Sequence, residues 1–346
     1  MCILPDLNCQ SPAQWKQQRA RWIALAEDHL YGHAPDTVSC AGTVTDAQPL
    51  WDGQAVRETL RIAYGPSLQF AFTAVLTRPA DDQKHAVITW NQFDDEGDCP
   101  VAKHAVLTRG YAIASFIKTQ LAGDGDQAIG QGDAYRAYPA CDWGALRVWA
   151  WGHQLLAEYL STRREIDSGK MACTGLSRGG KAALAAGIFE ERFQVCVPVC
   201  SGCGGCGCFR YLGDLNGLNQ NPALEESIER IAAVFPHWWA HTFPQESQAG
   251  ADRFPLDSHV LRALLAPRAL LNCEGKQDTW SNPYGAFISW RAAQPVFDML
   301  GGKNAISYHE GGHAFTPEDW QALLDFCDET FDGKATGRDW NTVPFA

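Results

Sequence analysis

Hydrophobic positions along this chain follow two rhythms. Residues 12–31 carry a helical stripe. Trp15, Ala20, Trp22, Ile23, Leu25, Ala26 and Leu30 share a face, Ser11-Pro12 starts it, and Tyr31-Gly32-His33-Ala34-Pro35 ends it. From 38 to 80 the period shortens to two. Val38–Ala41, Ala55–Ile62 and Leu68–Leu76 predict three antiparallel strands that begin a sheet. His85–Trp90 and Tyr111–Phe116 predict buried strands, and the polar, Gly-rich residues 117–141 predict a surface excursion. A long helix is expected over Asp142–Arg163, with Ala145, Val148, Trp149, Leu155, Leu156, Tyr159 and Leu160 on its buried face. Later strands are expected up to Thr174 and at Phe193–Val199, Arg268–Cys273 and Asn304–Tyr308, with a closing helix over Pro317–Phe331. Residues 209–260 predict helices and loops inserted at the rim. Strands alternating with helices, without repeats or low-complexity linkers, predict one α/β domain over residues 1–346.

One junction in this pattern carries chemistry. The apolar run to Thr174 and the helix formers Lys181–Phe189 flank Gly175-Leu176-Ser177-Arg178-Gly179. A G-x-S-x-G between a strand and a helix is the nucleophile elbow of an α/β-hydrolase, a tight turn that lifts a serine out of the sheet. The predicted fold is therefore an α/β-hydrolase: a mostly parallel central sheet flanked by helices, with the rim insertion after the sixth core strand. A serine hydroxyl needs a base, and the base needs an orienting carboxylate. In this fold they follow in the order serine, acid, histidine. His313, in the Gly-rich loop after the last strand, fits the base, and His309 is its rival. Asp278, after the penultimate strand, fits the acid, and Glu274 is its rival. The polar turn Asn91–Gly97 is placed to supply an oxyanion-hole amide.

Composition narrows the reading. The 346 residues carry a net charge of −12, which argues against nucleic acid and anionic membranes as partners. No stretch approaches the roughly 20 apolar residues of a membrane span. Met1-Cys2-Ile3-Leu4-Pro5-Asp6 has no basic n-region, so the expectation is a cytoplasmic chain or one whose secretory leader has been removed. The 13 cysteines are an odd number in a large chain, unlike a secreted disulfide scaffold. Cys196, Cys200, Cys203, Cys206 and Cys208 include zinc-like spacing, but they overlap a core strand. Buried thiols are expected there, with a disulfide or a metal site as the alternatives.

Thr174–Lys181 resembles the G-C-S-R-x-G-K signature of glucuronoyl esterases, carbohydrate esterase family 15. Asp142–Gly152, Ser201-Gly202-Cys203-Gly204-Gly205, Phe235–Trp239, Leu264–Arg268, Asp278–Pro283 and Gly311–His313 are similar to that family's segments in order and spacing. The resemblance spans about residues 12–335. It implies a serine carboxylesterase that hydrolyses esters of glucuronic or 4-O-methyl-glucuronic acid, without cofactor or metal, as a monomer. Arg178 would stabilise the oxyanion, Lys181 would hydrogen-bond sugar hydroxyls, Trp280 would pack on the sugar, and Asp214 falls where the family often has a sugar-binding Glu. Many members carry the triad acid as a Glu directly before S-G-x-G-G, and here that position is Cys200. Some bacterial members use a carboxylate after the next core strand, where Asp278 stands. The resemblance thus implies a Ser177–His313–Asp278 triad. A xylan acetyl esterase, or another carboxylesterase, is the rival reading. A non-catalytic binding protein on a hydrolase scaffold, motivated by Cys200, is the reading of another class.

Overall fold

The computed structural model describes residues 4–7, 9–36, 39–93, 99–125, 128–213 and 225–342. The alternating apolar runs form nine strands: β1 (Cys40–Leu50), β2 (Ala55–Tyr64), β3 (Phe70–Pro79), β4 (His85–Gln92), β5 (Ala112–Ile117), β6 (Ile166–Leu176), β7 (Phe193–Val199), β8 (Ala269–Gly275) and β9 (Asn304–His309). They join one sheet in the order β1-β2-β3-β5-β4-β6-β7-β8-β9. The pairings up to β3–β5 are antiparallel, and all later ones are parallel. The helices are α1 (Pro12–Ala26), α2 (Asp133–Ala137), α3 (Ala145–Leu160), α4 (Arg178–Phe189), α5 (Ile228–Val234), α6 (Phe243–Glu246), α7 (Ser258–Ala263), α8 (Pro283–Leu300) and α9 (Pro317–Phe331).

Successive strand residues face opposite ways, and both faces are buried, as a parallel sheet requires. On one face Val87, Ala114, Met171 and Leu270 meet Trp22 of α1, Trp149 of α3, Leu184 of α4, Leu261 of α7 and Phe297 of α8. On the other, Ile88, Ile113, Val197 and Leu271 meet Ala105 and Trp320, Leu323 and Phe326 of α9. β4 lies between β5 and β6. The β4–β5 connection therefore packs on the α9 face, and the β5–β6 connection with α3 on the other. Such a reversal of strand order opens a crevice at the carboxyl ends of the strands, here β4 and β6.

The two sheet edges differ. β1 pairs only with β2, is mostly exposed, slips register between Val44 and Asp46, and carries Pro49. At the opposite edge the Ile306 N–H of β9 donates to the Trp340 carbonyl at 3.1 Å.

Four sequence expectations change. α3 is buried nearly all round, not along one stripe. Residues 117–141 are not a simple surface excursion, because Leu121, Ala122, Ala134 and the Lys118 side chain are buried beneath them. The insertion leaves β7, the seventh strand along the chain, and its predicted end at 260 cuts α7, every residue of which is buried. α8 has no counterpart among the predicted elements; Pro295 lies inside it, and its stability comes from the face it buries.

Candidate active site

Ser177 sits at the tip of β6 as it turns into α4, at φ 59° and ψ −124°. A side chain holds such angles only where its surroundings over-determine them. The Ser177 N–H donates to the Val199 carbonyl at 2.8 Å, and its own carbonyl accepts from the Lys181 N–H at 3.0 Å. The two motif glycines are forced by contact. A Cβ on Gly175 would lie 2.4 Å from the Gly179 carbonyl oxygen, and one on Gly179 would lie 2.3 Å from Asn91 Oδ1. Asn91 thus buttresses the turn from β4. Its Nδ2 donates to the Gly179 carbonyl at 3.1 Å and to His153 Nε2 at 2.8 Å. His153 Nδ1 in turn meets Thr89 Oγ1 at 2.7 Å. Burial pushes the His153 pKa down to about 3, so the ring is neutral. Ser177 is 8% exposed.

The loops after β8 and β9 bring the predicted acid and base together. His313 Nδ1 lies 2.6 Å from Asp278 Oδ2. Burial alone would raise the Asp278 pKa, but hydrogen bonds and charge from His313 and bonds from Ser281 outweigh it and hold the carboxyl below its usual range. Ser281 donates its N–H to Asp278 Oδ1 at 3.2 Å and its hydroxyl to Oδ2. Among the described residues the Ser177 hydroxyl makes no hydrogen bond to His313. Such bonds are often long in ligand-free enzymes and tighten around substrate.

The two rivals are occupied elsewhere. Glu274 is fully buried at the end of β8, accepting from Asn272 Nδ2 at 2.9 Å and facing the Ser281 hydroxyl at 3.2 Å. Burial, reinforced by the Asp278 charge, pushes its pKa up to about 8, against bonds from Asn272 and Ser281. Ser281 thus stands between Glu274 and Asp278, with its hydroxyl facing both carboxyl groups. His309 Nδ1 lies 3.0 Å from Asp319 Oδ1, and Nε2 lies 3.0 Å from the Gly312 carbonyl. Two acceptors require two ring N–H groups, so His309 is an imidazolium. Burial opposes its charge, but Asp319 and the Gly312 carbonyl raise its pKa. This ring ties the start of α9 to the loop that carries His313.

The other predicted residues fall into distinct settings. The Arg178 guanidinium pairs with Asp124 at 3.1 Å and lies over Phe93, Phe235 and Trp238, the last at 4.8 Å. Asp124 also accepts from Trp238 Nε1 at 2.9 Å and faces His237 at 3.3 Å. The Lys181 side chain is 1% exposed and paired within the protein. It donates to Glu226 and to the Ser201 carbonyl, each at 2.6 Å. Glu226 also accepts from the Cys203 N–H at 2.8 Å. Trp280 is half-buried, with the Arg230 guanidinium 5.0 Å from its ring. Asp214, and residues 94–97 of the expected oxyanion turn, lie outside the described residues. Asp124, Glu226 and Ser281 escaped sequence reading. A signal existed for Glu226: a lysine inside the apolar run of α4 demands an anionic partner.

Cys200 follows β7 with φ 44°, and its Sγ stands beside the dyad. Burial, with the charges of Glu274 and Asp278, raises the thiol pKa well above its usual value, so it is a neutral thiol. Among the described residues the twelve cysteines form no disulfide. Among the described residues Cys196, Cys203, Cys206 and Cys208 join no metal-binding cluster.

Comparison with known proteins places this geometry. A family model described as glucuronyl esterase of fungi matches residues 64–301. The chain is 30% identical to a carbohydrate esterase family 15 glucuronoyl esterase from Caldicellulosiruptor kristjansonii, with a TM-score of 0.81 over 99% of this chain and 94% of that one. The chain belongs to carbohydrate esterase family 15, the glucuronoyl esterases. Two further relatives of this family 15 chain differ in how much of them it covers. It is 26% identical to carbohydrate esterase MZ0003 from an unknown prokaryotic organism, over 97% of this chain and 89% of that one. It is 33% identical to the 4-O-methyl-glucuronoyl methylesterase of Cerrena unicolor, over 88% of this chain but 62% of the relative.

Proposed function

We propose that this protein hydrolyses esters of glucuronic acid or its 4-O-methyl form, with Ser177 as nucleophile, His313 as base and Asp278 as the orienting acid. The observation that carries the reading is the His313–Asp278 pair at 2.6 Å, in the loops that follow β8 and β9. Asp278 holds the ring proton on Nδ1 and leaves Nε2 bare. Nε2 takes the Ser177 proton as Oγ attacks the ester carbonyl. The carbonyl electrons move to oxygen, beside the free end of α4. There the Arg178 N–H, with its guanidinium nearby, stabilises the oxyanion. The intermediate collapses, His313 protonates the leaving alcohol, and a uronoyl-serine remains. Water activated by the same histidine releases the acid and regenerates Ser177.

Trp280 supports the sugar in this reading. Lys181 acts through its pairing with Glu226, which fixes the Ser201–Cys203 backbone at the rim. Residues 1–346 form one α/β-hydrolase domain, which the single sheet supports. The test is turnover of the benzyl ester of glucuronic acid by the wild type and by Ser177→Ala. Wild-type turnover that vanishes in the variant is expected. Cleavage of an acetylated sugar with no turnover of the uronate ester would overturn the substrate assignment and leave the triad standing.

A further inference from the structure

The esterase reading leaves one group beside the dyad unused. Cys200 Sγ, a carboxylate oxygen of Asp278 and a ring nitrogen of His313 all lie within 4.8 Å of one another. The thiol is held there by the backbone. Cys200 adopts its left-handed φ of 44° because its N–H is fixed to the Cys273 carbonyl at 2.8 Å. Its sulfur rests 3.7 Å from the carbonyl of Ala314, the residue after His313. Two anionic donors and an imidazole are a donor set that suits zinc. Tetrahedral bonds of about 2.0–2.3 Å put neighbouring donors roughly 3.3–3.7 Å apart. The dyad opens and the thiol closes to reach that spacing, each by about 1 Å or less, which side-chain rotation supplies. The His313 side chain is 33% exposed, which gives an ion a way in.

We propose that Cys200, Asp278 and His313 form a binding site for a thiophilic divalent cation, Zn²⁺ in kind, and that its occupation reversibly switches off the hydrolase. On binding, the ion sheds water, the Cys200 S–H proton leaves to solvent, and sulfur, carboxylate and imidazole supply three ligands. The thiolate and the carboxylate together balance the two positive charges. His313 coordinates through Nδ1, the nitrogen that faces Asp278. Its ring proton then resides on Nε2, the nitrogen a general base must keep bare. The inhibitory half of this inference rests on the esterase reading, whereas the binding half does not.

The experiment uses the reduced, metal-free protein and Cd²⁺ as a spectroscopic probe, followed by Zn²⁺ in the esterase assay. The wild type is expected to develop a saturable thiolate-to-Cd²⁺ charge-transfer absorption and to lose turnover as Zn²⁺ is added, both reversed by EDTA. Cys200→Ala and Cys200→Ser should lack that absorption. Relative to each variant's own metal-free rate, they should need roughly tenfold or more Zn²⁺ for half-inhibition. Asp278→Asn keeps the thiol, so it should retain the absorption with weaker Cd²⁺ affinity, which covers the case where a Cys200 variant misfolds. Undiminished Cd²⁺ absorption in folded Cys200 variants, or equal Zn²⁺ sensitivity, would overturn the site. A protein that cleaves no ester but still shows the Cys200-dependent absorption would retain the site and lose the esterase reading instead.

Discussion

Ser177 occupies backbone angles that only glycine holds without strain. Strain of this kind amounts to about 1–3 kcal/mol, partly offset by the entropy that glycine loses on folding. Ser177→Gly should therefore be more stable than Ser177→Ala by about 1 kcal/mol, with hydrolysis absent from both. Urea unfolding of the two variants decides it, and a less stable glycine variant would mean the elbow is relaxed. Glu274 gives a second prediction. Burial first, then the Asp278 charge, lifts its pKa from 4.5 to about 8 against the bonds it accepts. Between those values the native state keeps a proton that the unfolded chain has lost. Stability must therefore fall as pH rises across that window and level off above it. Glu274→Gln needs no proton, so it should gain on the wild type as pH rises from 5 to 8. Melting curves across that range measure the difference, and a pH-independent difference would show Glu274 ionised throughout.

The elbow and α9 behave as elements. A Gly179→Ala methyl would meet Asn91 Oδ1 at 2.3 Å, and Asn91 is itself bonded to Gly179 and His153. Such overpacking costs roughly 1–3 kcal/mol. Asn91→Ala should recover part of that loss in the double variant, because the two positions share one contact. Additive unfolding energies would remove Asn91 from its buttressing role. At α9, Thr316 and Asp319 form a reciprocal cap, and Asp319 also holds the His309 imidazolium. Asp319→Ala should cost about 1–2 kcal/mol or more and lower turnover by loosening the loop that His309 anchors. A melting point and turnover both unchanged would refute that coupling. These elements were legible in sequence because their signals are local: alternating strands, a Gly-flanked serine, and His313 and Asp278 each at a strand end. The supports were not. Asp124 meets Arg178 from 54 residues away, and Glu226 meets Lys181 from 45. Neither carboxylate has a neighbouring pattern that announces its partner, and α8 hides its helix behind an internal proline.

At the scale of the molecule, the Lys181–Glu226 pair joins the chain between β7 and β8 to α4, the helix that Ser177 caps. Removing one partner of a buried pair strands the other charge and costs about 3–5 kcal/mol. Glu226→Ala should lose that much, and Lys181→Met/Glu226→Leu much less, in chemical denaturation. Equal losses would show that packing, not charge, holds this junction. The sheet's two margins carry a different consequence. Unpaired edge strands recruit other chains, and natural sheets blunt them with bulges, prolines or covering segments. β1 has the first two devices. Among the described residues β9 has only the third, a tail fastened by Arg338 to Asp325 at 2.6 Å and by Trp340 to Glu329 at 2.7 Å. Colloidal behaviour is thereby entrusted to a short peptide remote from the chemistry. A protease that trims it would leave hydrolysis intact at first and expose β9 as an edge on which a second copy can stack.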